Sequence, residues 1–166
     1  MLNMAETPFR YHEFLFEQWN KLCFGRAFPM LNEIDMEVLA KIADYCFIVE
    51  LGSRSGVSGH SFLYRGAGLS VTEGDDAEAI NFLFANERSP LDARLDKVEL
   101  SGKPLIENSE FINSKNQIMR YRRCLLPLGD GSGHVGYVIG CVRWRAFDGR
   151  QKKYAPKSGW DDPKIR

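Results

Sequence analysis

Three strand-like segments crowd the last third of the chain, and their spacing constrains the fold more than any other feature. Leu105 to Ile112, Gln117 to Leu128 and His134 to Trp144 each read as β structure. Only Asn113 and the turn Ser114-Lys115-Asn116 separate the first pair, and only Gly129-Asp130-Gly131-Ser132-Gly133 separates the second. Connections this short cannot carry a crossover helix, so neighbouring strands must pair antiparallel.

Two earlier strands join them. Tyr45 to Leu51 is β-rich and ends at Gly52, and the small-residue linker Gly52 to Gly59 leads to Ser61–Arg65, which alternates as a strand should. The two are expected to form a hairpin. Between this hairpin and the final three strands lies a helical region. Asp75 and Asp76 suit a helix N-terminus, with Ala77, Ile80, Leu83 and Phe84 on an apolar face. Ser89-Pro90 marks a fresh start, and Leu91, Leu95, Val98 and Leu100 continue to a stop at Gly102.

At the front, Thr7 and Pro8 suit the cap and first position of a helix over Pro8 to Phe24, with Gly25 as its stop. Tyr11, Leu15, Trp19 and Leu22 form one stripe, beside Phe16 and Cys23, and Phe9, Phe14 and Phe24 widen it. After a connector held by Pro29, Met36 to Ala43 is expected as a short helix capped by Asp35, with Val38, Leu39 and Ile42 on one side. The expected fold is α+β: a five-stranded antiparallel sheet, helices crossing from the second strand to the third, and a flanking N-terminal helix. Residues 1–35 are the helix and connector, 36–145 the main domain, and 146–166 a basic, poorly ordered tail.

The 166 residues are enough for one domain with a real core. Twenty-two basic and 22 acidic side chains cancel, which gives no basis for a nucleic-acid surface. Met1 to Thr7 lacks the apolar run of a signal peptide, and no stretch approaches the roughly 18 apolar residues that span a bilayer, so the chain is expected to be cytoplasmic. Cys23, Cys46, Cys124 and Cys141 each fall in an apolar segment, outside any Cys-x-x-Cys pair, and read as small buried hydrophobes. His12, His60 and His134 stand at no metal-ligand spacing, so no metal site is expected. The glycine-rich loop at Gly129 precedes a strand and not a helix, which makes it a hairpin turn and not a phosphate cradle.

Several short pieces, in their order and spacing, resemble the PAS family, and in particular the short stand-alone PAS proteins found mostly in alphaproteobacteria. They are Trp19 with Gly25-Arg26 and Pro29; Ile34-Asp35; Phe62-Leu63-Tyr64-Arg65 followed by Gly68; Val98 with Gly102 and Pro104; and Tyr121-Arg122-Arg123-Cys124-Leu125-Leu126-Pro127-Leu128 with Gly129-Asp130-Gly131, Val135 and Ile139-Gly140. The resemblance runs from Trp19 to Trp144. It departs at Ser70 to Asp76, an acidic stretch where such proteins have a glycine-containing one. The resemblance implies a sensory module with a cavity beside the sheet. PAS domains that hold haem carry a histidine on the long helix before strand three, and those that hold flavin covalently carry Asn-Cys-Arg; Leu91 to Ser101 has no histidine and the motif is absent. Neither haem nor flavin is expected, and no other cofactor.

Candidate ligand-binding residues are Tyr64, Tyr121, Arg122, Arg123 and Trp144. By strand alternation Arg120 and Arg122 share a face with Ile118 and Cys124, while Arg123 points with Tyr121 and Met119 to the other. These arginines either pair with Glu107 or Glu110 on the neighbouring strand or clamp an anionic ligand. No nucleophile–base arrangement appears, and no catalytic residue is assigned. The expected function is a non-enzymatic signalling module that works through a regulatory protein partner and is modulated by a small ligand. The rivals are a small cavity enzyme of the cone-shaped isomerase type and a dedicated small-molecule sensor. The wide aromatic face of the first helix predicts a homodimer through Phe14, Phe16 and Trp19; the alternative is that the helix folds back over its own sheet.

Overall fold

The structure, a computed structural model, describes residues 9–52, 60–85 and 90–147. Helix α1 spans Tyr11–Cys23 and is followed by a connector. Strands β1 (Cys46–Glu50) and β2 (Ser61–Arg65) come next. Helix α2 (Asp75–Ile80) runs on into a wider π turn at Asn81–Ala85, and α3 covers Pro90–Ser101. Strands β3 (Leu105–Ile112), β4 (Ile118–Gly129) and β5 (Val135–Phe147) complete the fold. Every strand pairing is antiparallel, and the sheet order is β2-β1-β5-β4-β3. The first strand and the last therefore meet at the centre, joining two local hairpin units that the helical crossover separates in sequence. Thr7, Pro8, Ser89 and the tail beyond Phe147 lie outside the described residues, as does most of the linker after Gly52.

Both faces of the sheet are covered. On one, Phe47, Val49, Tyr121, Leu125, Val138 and Val142 pack under α2 and α3 through Leu83, Leu91, Leu95 and Val98. On the other, Cys46, Ile48, Cys124, Leu126, Ile139 and Cys141 pack under α1 and the connector through Leu15, Trp19, Cys23, Leu39 and Ile42. A strand covered on both faces loses its polar alternation, and β4 is buried at every residue from Tyr121 to Gly129.

Helix α1 ends where expected, with Phe24 at φ 48° and Gly25 at φ 80°, the left-handed geometry that stops a helix. Its direction corrects one expectation. Trp19 does not face outward to a second copy: it is 4% exposed, covers its own sheet and donates from Nε1 to Pro127 O at 2.9 Å. That carbonyl is available because β3 pairs with β4 only as far as Leu105↔Leu125, leaving the end of β4 an open edge that also tolerates a proline. The connector covers the same edge, with Gly129 N donating to Pro29 O at 2.8 Å.

Two further expectations change. Met36 to Ala43 is not an α-helix but a run of tight turns, with Ala40 N on Glu37 O and Ile42 N on Leu39 O, leading into a 3₁₀ turn at Ala43–Tyr45. Asp35 does cap it, accepting from Glu37 N at 2.9 Å. Burying Leu39 and Ile42 decides the path while Val38 stays exposed. Leu100 is 88% exposed and contributes nothing to the core face of α3. The turn after β2 depends on close approach: a Cβ at Gly66 would lie 2.3 Å from the carbonyl oxygens of Ala43 and Asp44.

Candidate ligand-binding site on the helix-covered face

Alternation along β4 sends Arg122 and Arg123 to opposite faces, as the sequence predicts. Arg123 points under α3 and is fully buried. Its partner is Glu107, directly opposite on β3. Arg123 Nε donates to Glu107 Oε1 at 2.7 Å, and Nη2 donates to the same oxygen. Glu107 Oε2 accepts from Arg94 Nε of α3 at 2.8 Å. One carboxylate thus ties the long helix to the centre of β4. The pairing with Glu107 is the salt-bridge alternative, and Arg120 likewise pairs with Glu110 at 2.9 Å. The bridge does not use the whole guanidinium. Arg123 Nη1 is shut off from solvent and finds no acceptor among the described residues.

An aromatic cluster lies beside this pair, in contact through Tyr121. Arg123 lies 5.5 Å from the Tyr121 ring centroid, and Phe82 stacks on Phe111 at 4.2 Å, with Tyr121 6.1 Å from Phe82. Trp144 stands opposite Tyr121 in register, and its Nε1 donates to Asp76 Oδ1 at 2.9 Å, fastening the sheet to the start of α2. Of the five candidate residues, then, Tyr121, Arg123 and Trp144 come together on the helix-covered face.

Tyr64 and Arg122 do not join them. Tyr64 packs on the α1 side, its hydroxyl donating to Ala43 O at 2.9 Å, and burial pushes its pKa up. Arg122 is 4% exposed beneath α1, donates from Nε to Asn108 Oδ1, and has Nη1 3.4 Å from His12 Nε2. Sequence reasoning missed Arg94, Phe82, Phe111 and Asp76. Arg94 carried a signal: it falls three residues after Leu91 and four before Val98, on the buried stripe of its helix, where a charge calls for a partner.

The residues of this face do not fit a flavin held through a thiol. All four cysteines, Cys23, Cys46, Cys124 and Cys141, sit on the α1 side of the sheet. The described residues hold no group of three or more His, Cys, Asp or Glu side chains arranged for a metal, and no helix among them is long and apolar enough to cross a membrane.

No family model matches the sequence, and no curated protein matches it. Among solved structures, a light-oxygen-voltage (LOV) domain studied with a flavin analogue is similar at 17% identity, over 74% of this chain and 92% of that one, with a TM-score of 0.42. The dark-state LOV domain of the blue-light photoreceptor Aureochrome1 is similar at 14% identity over 71% and 86%, also at 0.42. The LOV protein of Rhodobacter sphaeroides is similar at 13% identity over 74% of each chain, at 0.40. At such scores the superpositions decide nothing by themselves; the strand order does. A five-stranded antiparallel sheet in the order β2-β1-β5-β4-β3, with its helices inserted between β2 and β3 and a flanking helix ahead, is a PAS-like α+β fold.

Proposed function

We propose that this domain is a non-enzymatic, cytoplasmic regulatory module that signals by contact with a partner protein, its state set by a small ligand beside Arg123. One observation carries the reading: the Glu107 carboxylate bridges α3 and β4 while a buried N–H of Arg123 finds no acceptor among the described residues. An orphaned buried donor costs about 1–3 kcal/mol, and a ligand oxygen that reached it would recover part of that cost. Such a contact would favour one placement of α3 against the sheet, which is what a ligand-controlled module requires.

The same geometry weighs against the cavity-enzyme rival. Each oxygen of Glu107 already accepts an arginine N–H, so this carboxylate is poorly placed to take a proton from a substrate. The dimer belongs to the proposal in a reduced form: Phe14 and Phe16, both half-buried on α1, would form the contact without Trp19.

Native mass spectrometry of the purified protein, followed by hydrogen exchange on α3, β3 and β4 with and without the ligand removed, tests the reading. A retained small molecule whose removal speeds exchange in α3 supports it. A protein that purifies without any small molecule, or one whose α3 exchange is unchanged when its ligand is removed, overturns the ligand-controlled form. Light scattering tests the dimer: charged replacements at Phe14 and Phe16 should halve the mass, and a wild-type monomer at high concentration would remove the dimer from the proposal.

A further inference from the structure

A cleft lies at the edge of the sheet away from Arg123, where the end of β2 faces α2. It has a volume of about 400 Å³, within the range of small-molecule sites. Leu69, Val71 and Ile80 supply an apolar wall, Ser70 and Asn81 supply polar groups, and Arg65 supplies the charge. Sheet order places β2 three strands from β4, roughly 14 Å across the sheet at the usual strand spacing, so this cleft is separate from the Arg123 site.

Arg65 is held in place without being neutralised. Its Nε donates to Leu69 O at 2.9 Å, and its guanidinium lies 5.1 Å from the Phe62 ring centroid and 5.0 Å from that of Phe84. Desolvation lowers its pKa from the ordinary arginine value. Arg26, Arg94, Arg120 and Arg123 each reach a carboxylate, whereas Arg65 pairs with none among the described residues. The acids of α2 are engaged elsewhere: Asp75 with Lys115, Asp76 with Trp144 and Glu78 with Ser114. With Nε occupied by a carbonyl, the two Nη groups remain as a planar pair of donors, the geometry that matches a carboxylate bidentately.

We propose that this cleft is a binding site for a small organic monocarboxylate, its carboxylate on the Nη edge of Arg65 and its carbon skeleton against Leu69, Val71 and Ile80. A single cation facing an apolar wall suits one negative charge on a hydrophobic body. A phosphate dianion would call for more than one cation, and among the described residues no second arginine or lysine lines the cleft. The inference goes beyond the reading above, because binding here is independent of what the Arg123 site holds.

The test is an NMR titration of the full chain with benzoate, hexanoate and inorganic phosphate as separate probes. The expected result is saturable shifts of the Ser70, Ala77 and Asn81 amides with either carboxylate and none with phosphate. Arg65→Gln should weaken carboxylate binding by about tenfold or more, and Arg65→Lys, which keeps the charge but loses the fork, should weaken it less. Val71 is 41% exposed, so Val71→Trp should fill the cleft and block binding without disturbing the anchored arginine, which keeps the test decisive if Arg65→Gln fails to fold. Absence of saturable shifts at these amides overturns the proposal. So does equal binding of phosphate, or carboxylate binding that survives both Arg65→Gln and Val71→Trp.

Discussion

The two faces of the sheet are built from alternate residues of the same strands, yet they bury different chemistry. Beneath α3, Arg123 is enclosed with a carboxylate and the ring of Tyr121. Beneath α1, its sequence neighbour Arg122 meets an amide and an imidazole, and three thiols lie in a row across β1, β5 and β4, since Cys141 stands opposite both Cys46 and Cys124. A buried charge with a charged partner holds its helix at a defined place and loses heavily if the partner goes. A face of thiols and aliphatics holds its helix mainly by area, with directional contacts from Trp19 to Pro127 O and between His12 and Arg122. The difference assigns the two helices different work: α3 is tethered through a buried charged link, and α1 is mainly a cover.

The largest expected effect breaks the tether. Glu107→Ala should cost about 3–5 kcal/mol in urea unfolding, because Arg123 stays buried without its counter-ion. Replacing both Glu107 and Arg123 by leucine should recover most of that loss; a double variant as unstable as the single one would mean that packing, not charge, holds α3.

A smaller effect tests the cover. Trp19→Phe keeps a ring over the sheet but leaves Pro127 O without its donor, and should cost about 1–3 kcal/mol. If the change is neutral, the Trp19 bond adds nothing to the hold on α1.

The thiol row gives the α1 face an alkaline weakness. Burial pushes Cys46 from 9.0 up to about 12, and pushes Cys124 and Cys141 up as well. The unfolded thiols ionise first, so stability is full below pH 9 and declines as pH rises toward the folded values. The slope is about 1.4 kcal/mol per pH unit for each thiol that differs. Urea unfolding at pH 8, 9.5 and 10.5 checks this against a variant with all three replaced by alanine, whose decline should be shallower; equal slopes would count against it.

The smallest effect is the control. Arg120 and Glu110 form the partly exposed counterpart of the buried pair, with the Glu110 side chain half exposed. Arg120→Gln should shift unfolding by about 0.2–1 kcal/mol and become neutral in high salt. A cost equal to that of Glu107→Ala would erase the distinction between buried and exposed pairs on which the comparison rests.

Much of the framework was legible in residue order. Ser61–Arg65 and Leu105–Ile112 fall where alternation and turn residues put them, and the opposite facing of Arg122 and Arg123 follows from strand period alone. The candidate site was only half legible. Tyr121, Arg123 and Trp144 meet on one face; Arg122 lies on the other, as strand period already required, and Tyr64 lies there too because which face of β2 ends under which cover is settled by long-range packing.

The sequence by itself determined the strands, the hairpin loops and the need for a cover over a sheet with two apolar faces, since these depend on spacings of a few residues. Tertiary structure alone decided that α1 supplies the cover from within the chain, that Val38 and Leu100 stay outside the core, and that Arg94 shares Glu107 with Arg123. Each of those outcomes depends on groups far apart in sequence competing for one buried volume. The favoured arrangement is the one that hides the most apolar surface while leaving the fewest charges without a partner.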